Sequence, residues 1–225
     1  MKIYSKYKDY QEYVDIQTET NKAKIDVVWV SEIEVEYICN YVQSLPLSLA
    51  HKSNMYSDEM YNVMCHGARN GTEVTFFEKH LDDNWIVEGN DISDTANAYG
   101  LHQWDMQYCY EGWKQKFTIQ YTNSFDHVYD PQKTINSFMK QCATGGSVFI
   151  QWTENLNNEP LPSDPLSINL EELVDMCSNS ESRGRERDVQ TVNILDSGMN
   201  RVVRKKNTNE EIKRYHIYWV ELVGV

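Results

Sequence analysis

The segment Val63-Met64-Cys65-His66-Gly67-Ala68-Arg69-Asn70-Gly71-Thr72-Glu73-Val74 is more informative than any other part of the chain. An apolar run enters it, a turn with two glycines follows, and an amphipathic helix pattern begins at its end. Gly67 and Gly71 permit a positive φ or a close approach of the backbone to a ligand. The helix start after Asn70 leaves N–H groups free to bind an anion such as a carboxylate. This strand, turn and helix are typical of α/β folds that hold the polar part of a nucleotide-like ligand.

Length and composition restrict the class of protein. A chain of 225 residues suits one domain with a sizeable core, and 40% hydrophobic with 24% charged residues is a globular composition. The net charge of −13 argues against broad, non-specific nucleic-acid binding, which requires clustered Lys and Arg. No window approaches 18 consecutive apolar residues, so we expect no transmembrane helix.

The cysteines and histidines indicate a compartment and argue against a metal. The five cysteines are scattered, odd in number and form no Cys-x-x-Cys pair. We therefore expect free, mostly buried thiols in a reducing, cytoplasmic compartment. The six histidines show no spacing of the zinc type, so we predict no metal site.

Strands and helices alternate along most of the chain. Apolar periodicity predicts strands at Tyr61–Cys65, Trp85–Gly89, Leu101–Trp104, Phe117–Tyr121 and Ser147–Trp152, and helices at Glu32–Gln43, Gly71–Leu81, Ser93–Tyr99, Pro131–Cys142 and Asn169–Cys177. This alternation implies a mostly parallel sheet with right-handed crossovers.

The two ends of the chain differ from this pattern. Strand patterns at Arg187–Leu195 and Tyr215–Leu222 have no helix between them, which predicts an antiparallel C-terminal hairpin at the sheet edge. Residues 1–24 are polar and lack a clean period. We predict that they form a polar N-terminal extension before a single domain over residues 25–225.

Acidic residues follow two of the predicted strands, at the edge where ligands bind in such sheets. Asp91 comes about 20 residues after Gly71, where a carboxylate can accept both ribose hydroxyls of a nucleoside. Asp105 follows the third strand and can accept from an adenine amino group, with Trp104 or Met106 packed on the base. The simpler interpretations are a helix N-cap for Asp91 and a solvated loop acid for Asp105.

The segment Asn123-Ser124-Phe125-Asp126-His127 follows the fourth strand and leads through Asp130-Pro131 into a helix. With the glycine turn and the two acids, it makes the chain resemble the class I S-adenosylmethionine-dependent methyltransferases from about Tyr61 to Trp152. Phe125–Pro131 is similar to that family's Leu-Glu-His-x-x-Asp-Pro segment, and Gly145-Gly146 is similar to the lead-in to its fifth strand.

The resemblance implies a Rossmann-like, doubly wound fold of three α/β/α layers around a mostly parallel seven-stranded sheet with an antiparallel C-terminal hairpin. It also implies S-adenosylmethionine as cofactor, bound by residues within about 61–152. The expected cofactor-binding residues are Cys65, His66, Gly67, Arg69, Gly71, Asp91, Ile92, Trp104, Asp105, Met106 and Asn123.

The chain departs from the family's acid-x-Gly-x-Gly-x-Gly loop at two positions. Cys65 stands at the acid and Arg69 at the middle glycine. A cysteine cannot order the loop as a carboxylate does. The Arg69 guanidinium can instead pair bidentately with the methionine carboxylate of the cofactor, so we expect a variant cofactor site.

Asp126 and His127 are the predicted catalytic residues. A hydroxyl acceptor must lose its proton, which His or Asp can assist, while proximity and alignment supply most of the remaining catalysis. The alternative for His127 is a structural residue that bonds to backbone and walls the site.

The resemblance implies methyl transfer to a small-molecule or sugar-type acceptor. Neither an Asn/Asp-Pro-Pro-aromatic motif nor a Pro-Cys nucleophile is present, which argues against a nucleobase substrate. The alternatives are a non-catalytic cofactor-binding or partner protein, and a lyase or aminocarboxypropyl transferase that uses the same cofactor. The acceptor and the oligomeric state stay open. Candidate acceptor segments are Met1–Thr20, Tyr108–Lys116 and Thr153–Ser167.

Overall fold

The structure is a computed structural model that describes residues 1–45, 60–153, 159–179, 191–204 and 211–223. Its strands are β1 (Lys2–Ile3), β2 (Tyr61–His66), β3 (Trp85–Asp91), β4 (His102–Gln103), β5 (Phe117–Thr122), β6 (Cys142–Thr153), β7 (Leu166–Ser167), β8 (Thr191–Arg204) and β9 (Glu211–Val223). Its helices are α1 (Tyr10–Ala23), α2 (Glu32–Ser44), α3 (Thr72–His80), α4 (Pro131–Gln141) and α5 (Leu170–Ser178).

Seven strands form the main sheet in the order β4-β3-β2-β5-β6-β9-β8. The five strands from β4 to β6 pair in parallel, while β9 pairs antiparallel with both β6 and β8. The order changes direction at β2, so the carboxyl ends of β2 and β5 flank the crevice where ligands bind in doubly wound sheets. The predicted mostly parallel seven-stranded sheet with an antiparallel C-terminal hairpin is confirmed.

Helices cover both faces of this sheet. Because side chains alternate along a strand, β5 sends Ile119 and Tyr121 into the core under α2 and α3, where Ile38 and Phe77 pack. The opposite face packs against α4 and α5 through a second buried cluster, which includes Ile135, Phe138, Val148, Ile150, Leu173 and Val220. The predicted three-layer α/β/α arrangement is therefore confirmed.

Local capping fixes where the helices on this second face begin. Asp130 accepts a 3.0 Å hydrogen bond from the Lys133 backbone N, and Pro131 occupies the first turn of α4. Asn169 and Glu172 form a reciprocal capping box at the start of α5. Such caps satisfy backbone N–H groups that have no partner within the helix.

Two predicted elements are shorter than expected. The helix predicted at Ser93–Tyr99 is a single 3-10 turn over Ala96–Tyr99, which Gly100 ends in the left-handed conformation at φ +71°. The strand predicted at Leu101–Trp104 is the two-residue edge strand β4, and just beyond it the Asp105 side chain accepts a hydrogen bond from the Gln107 backbone N and turns the chain. The hairpin strands are longer than predicted, and residues 187–190 lie outside the described residues.

The first 24 residues, predicted as an extension, form β1 and α1. β1 pairs with β7 in a separate two-stranded sheet. α1 buries Tyr13, Gln17 and Asn21, which recur every fourth position and so share one helix face. That face lies over the carboxyl ends of the parallel strands.

All five cysteines lie in the described part of the chain and are free thiols, of which four are buried. Over the same residues, no helix combines the length and apolar character needed to cross a bilayer.

Candidate functional site

In the glycine turn after β2, every second residue from Gly67 to Gly71 has a positive φ. Gly67 has φ +68°, Arg69 +40° and Gly71 +76°. A Cβ at Gly67 would come within 2.8 Å of the Ser124 Oγ, so the turn packs directly on the loop after β5. Arg69 is a side-chain-bearing residue in a conformation that favours glycine, so this backbone carries strain.

Asp91, the last residue of β3, is tied to both the glycine turn and α1. Its Oδ2 accepts from the Arg69 backbone N at 3.0 Å, and its Oδ1 accepts from the Ser93 N at 2.8 Å and from Asn21 Nδ2 at 2.7 Å. Burial raises the pKa of the Asp91 carboxyl, and these hydrogen bonds oppose that shift. Asp91 is not the N-cap of the following 3-10 turn, whose N-cap is Thr95, and its bond from the Ser93 N instead turns the backbone just after β3.

Asp105 lies in the loop after β4 and has a similar setting. It accepts hydrogen bonds from the Tyr10 hydroxyl and from the Gln107 backbone N and side chain. Its side chain is half-buried and engaged in these hydrogen bonds, so the simple interpretation as a solvated acid does not hold, and burial raises the pKa of its carboxyl. Trp104 donates its ring N–H to the Tyr108 carbonyl at 2.7 Å.

A cavity of about 30 Å³ lies between α1 and these loops. It brings together the predicted residues of the adenosine end with residues of α1, and its lining consists of Tyr13, Gln17, Asn21, Gly67, Arg69, Asn90, Asp91, Ile92, Trp104, Asp105, Met106, Ser124 and His127. This volume holds one or two water molecules, and the side chains of α1 form one wall of it.

A larger cavity of about 170 Å³ shares Gly67, Arg69, Ser124 and His127 with the first. Its wall is strongly charged, with three carboxyls and two cations. The further lining residues are Lys24, Val27, Val28, Trp29, Asn70, Glu73, Asn123, Asp126 and Asp164. The predicted residues Asn123, Asp126 and His127 therefore meet the glycine turn at one cavity.

The two cations, Arg69 and Lys24, and the carboxyl of Glu73 place both signs of charge on the wall of this cavity. Arg69 directs its guanidinium to the Asn21 Oδ1 and the Val27 carbonyl, both at 3.3 Å. Glu73 is only 8% exposed and accepts from Asn123 Nδ2 at 3.0 Å. Burial raises the pKa of Glu73 to about 7, so the carboxyl gains most from a cationic partner.

His127 has two differently placed ring nitrogens. Its Nδ1 is 2.7 Å from the Ser163 carbonyl oxygen, and its Nε2 is 3.8 Å from Asp126 Oδ1 and 3.5 Å from Asp164 Oδ1. One ligand-type atom from each of these three side chains falls within 4.8 Å of the others. Burial raises the pKa of Asp126, while nearby His127 lowers it. His127 lines the cavity, and Nε2 is the ring nitrogen that lies beside the two carboxyls.

Three predicted cofactor residues do not line either cavity. Cys65 is fully buried in the core under α2 and α3. His66 bonds to Gln120 and Asn90 at 3.0 Å each and stacks on Phe138 at 4.3 Å, and burial lowers its pKa to about 4. Gly71 precedes α3 as its N-cap. Cys65 and His66 support the turn from behind rather than facing a ligand.

Sequence reasoning missed the residues that α1 and two other segments bring to the site. Tyr13, Gln17 and Asn21 carried a signal, since polar and aromatic residues at a spacing of four mark one helix face. Glu73 reads as an ordinary acid in a first helical turn. Asp164 lies in a proline-rich loop with no periodicity, within the candidate acceptor segment 153–167, whose residues 154–158 lie outside the described residues.

Comparison with known proteins gives matches in structure only. No protein-family model matches the chain, and no curated protein matches it. One similar structure is Burkholderia thailandensis 1,6-didemethyltoxoflavin-N1-methyltransferase with S-adenosylhomocysteine bound, at a TM-score of 0.57 and 10% identity over 100% of this chain and 94% of that one.

Two further structures are similar. Geranyl diphosphate C-methyltransferase from Streptomyces coelicolor A3(2), also with S-adenosyl-L-homocysteine, has a TM-score of 0.51 and 9% identity, covering 79% of this chain and 77% of that one. The [4+2]-cyclase SpnF has a TM-score of 0.52 and 10% identity, covering 78% and 79%. At such identities the likeness defines the fold, which is that of the class I S-adenosylmethionine-dependent methyltransferases.

Proposed function

We propose that the two cavities together bind S-adenosylmethionine. The observation that carries this proposal is the placement of Asp91 and Asp105 after adjacent parallel strands, on a cavity that continues past Gly67 into one with cations and a buried carboxyl. Asp91 would accept the ribose hydroxyls, and Asp105 the adenine amino group, beside Ile92 and Met106. The neighbours with S-adenosylhomocysteine bound support this assignment.

The charged cavity fits the amino-acid end of the cofactor. Arg69 and Lys24 would bind its carboxylate, and Glu73, positioned by Asn123, would bind its ammonium. We propose that residues 25–225 form a single methyltransferase-like domain and that residues of about 61–152 bind the cofactor. The helix α1 packs over this cofactor-binding part.

The activity we propose is methyl transfer to a small-molecule acceptor. The cofactor, when bound, supplies an activated methyl group on a sulfonium. The chain's residues then align the acceptor and remove its proton, for which Asp126 and His127 are the candidates. Two fold neighbours are methyltransferases of small molecules, namely 1,6-didemethyltoxoflavin and geranyl diphosphate. We place the activity in the cytoplasm, since all five cysteines are free thiols.

One observation favours a second candidate, a cofactor-binding protein that does not transfer methyl groups. Arg69 stands where the family has the middle glycine, and its own backbone is strained at φ +40°. The fold neighbour SpnF is a [4+2]-cyclase, so not every protein of this fold is a methyltransferase. Methylation of an acceptor by the purified chain separates the two candidates.

Isothermal titration calorimetry of the full chain with S-adenosylhomocysteine and with adenosine tests the proposed site. We expect saturable binding of both, with S-adenosylhomocysteine the tighter because it alone reaches Arg69, Lys24 and Glu73. Absence of S-adenosylhomocysteine binding at millimolar concentration contradicts the proposed function. Equal affinity for the two ligands contradicts the assignment of the charged cavity.

A further inference from the structure

Asp126, His127 and Asp164 line the part of the charged cavity to which the proposed cofactor contacts do not extend. Their side chains are 23%, 21% and 20% exposed, so each is mostly buried but open to the cavity. Asp126 and His127 follow β5, whereas Asp164 belongs to the loop before β7. The fold thus brings two distant segments together to place three polar side chains on one wall.

The tautomer of His127 determines what this wall presents. The Ser163 carbonyl oxygen can only accept, so Nδ1 at 2.7 Å from it carries a proton. In the neutral ring, Nε2 is therefore an acceptor, and it faces carboxylate oxygens of Asp126 and Asp164. Three acceptor atoms then converge on one space.

Such a wall favours one kind of ligand. A hydroxyl donates a single proton, whereas a protonated amine offers two or three N–H donors and a positive charge. Lys24 also lines this cavity and lowers the pKa of Asp126 from a distance. Three carboxyls nevertheless face two cations across the whole cavity, and Glu73 is among the carboxyls. The amino-acid end of the cofactor is neutral overall, so with S-adenosylhomocysteine bound the lining still has one more carboxyl than it has cations.

The surroundings of this wall fit the carbon part of such a ligand. Val28 and Trp29 line the same cavity and are 49% and 46% exposed, so they form an apolar rim. Behind Asp126 lies a further cavity of about 50 Å³, whose lining includes Phe125, Trp152 and Leu166. Asp126 therefore lies between the charged cavity and one whose lining is mixed, since it also includes the polar Asn123, Gln151 and Thr153.

We propose that the methyl acceptor is a small primary or secondary amine with an apolar body, held by Asp126 and Asp164 and deprotonated by His127. This inference rests on the proposed function. The ammonium passes one proton to His127 Nε2, which frees the nitrogen lone pair. The lone pair forms the new N–C bond to the methyl group as the C–S bond breaks, and the electron pair of that bond stays on sulfur. The product is a methylated ammonium, and the positive charge has moved from sulfur to nitrogen.

Matched amine and alcohol probes test this proposal by binding. With the enzyme saturated by S-adenosylhomocysteine, calorimetry would compare benzylamine with benzyl alcohol and propylamine with propanol. We expect at least one amine to bind ten-fold or more tightly than its alcohol. The Asp164→Asn variant should lose that preference while its affinity for S-adenosylhomocysteine stays within two-fold, and Asp126→Asn should behave alike.

The matched control is Asp175→Asn, which removes the same charge from an exposed position on α5. It should leave both affinities unchanged. Alcohols that bind as tightly as amines in both pairs overturn the proposal, as does an amine preference that survives in both variants. Amine binding that requires added Mg²⁺ also overturns it, since the cluster would then hold a metal ion. Failure to bind S-adenosylhomocysteine is seen before any amine is added and contradicts the proposed function instead.

Discussion

Asn21 donates a 2.7 Å hydrogen bond from Nδ2 to Asp91 Oδ1, and its own Oδ1 accepts from the Arg69 Nε. One amide on α1 thus connects the end of β3 with the side chain of the glycine turn. Asp91 holds the same turn from below through the Arg69 backbone N–H. The helix, the strand end and the turn therefore form one hydrogen-bonded unit around the proposed ribose position.

Asp91→Asn should weaken S-adenosylhomocysteine binding by ten-fold or more, which corresponds to about 1.4 kcal/mol. The amide keeps the shape of the side chain but removes the charge that strengthens hydrogen bonds from ribose hydroxyls. Calorimetry measures the change. Asp94→Asn is the control, because Asp94 lies in the same loop but is 58% exposed and pairs only with Lys22 in the described contacts. Equal affinities in the two variants would remove Asp91 from the site.

Arg69→Ala should weaken S-adenosylhomocysteine binding about ten-fold or more but leave adenosine binding within two-fold. Adenosine has no carboxylate, so it cannot engage the guanidinium. The comparison of two ligands on one variant separates a lost carboxylate contact from a distorted turn. If both affinities fall together, Arg69 supports the loop. If neither affinity changes, Arg69 does not bind the carboxylate of the cofactor.

The backbone amides of α1 should change their hydrogen exchange on addition of S-adenosylhomocysteine. The cavity beneath α1 holds about 30 Å³, so the helix has to shift before a nucleoside can enter. Hydrogen–deuterium exchange with mass spectrometry should show altered protection of peptides from Tyr10–Ala23. Peptides from Leu170–Ser178 on the far face serve as the internal reference. Unaltered protection of α1 at saturating ligand would contradict the need for this movement.

Glu73→Gln should stabilise the fold increasingly as the pH rises from 5 to 8. Burial raises the pKa of Glu73 from 4.5 to about 7 in the folded protein, so the folded state binds more protons than the unfolded state in this window. Its contribution is present below pH 4.5 and is lost as the pH rises through 7, by roughly 3 kcal/mol. Denaturant unfolding at several pH values measures the gap between variant and wild type. Glu78→Gln, at an exposed position of the same helix, should show no such trend.

His66 should produce the opposite dependence. Burial lowers its pKa from 6.5 to about 4, so the unfolded state binds more protons between these values. Its contribution is present above pH 6.5 and is lost as the pH falls through 4, again by roughly 3 kcal/mol. In the wild-type protein the pH dependences that Glu73 and His66 give to the free energy of unfolding therefore partly cancel. His66→Gln should flatten the acid limb of the unfolding free energy relative to wild type, whereas His102→Gln, at a half-exposed ring, should not.

The fold could be predicted because its strands and helices carry strong periodicity. Phe117, Ile119 and Tyr121 alternate along β5, and Ile135, Phe138 and Met139 mark the buried face of α4. Burial of apolar faces is the dominant local signal in a sequence. The lengths of elements were less predictable, since a side-chain hydrogen bond of Asp105 turns the chain after β4 and Gly100 ends the 3-10 turn.

The site was only partly predictable for a related reason. Gly67, Asp91 and Asp105 lie at or just after strand ends. The carboxyl ends of parallel strands meet at one edge of the sheet whatever the exact register, so the proximity of these residues could be predicted. The place of His66 depends on register, because Asn90 is its direct partner on β3 and Gln120 reaches it from β5. A one-residue shift would turn its ring to the other face. Glu73 and Asp164 reach the cavity through tertiary packing that leaves no local pattern.

During synthesis, α1 leaves the ribosome before every strand that it will contact in the main sheet, because its partners Asp91 and Asp105 follow it by dozens of residues. Its inner face bears Tyr13, Gln17 and Asn21, which water solvates well, rather than leucines or valines. The nascent helix can therefore wait without exposing an aggregation-prone surface. A helix face of this composition is one that a growing chain can leave uncovered until the strand ends reach it.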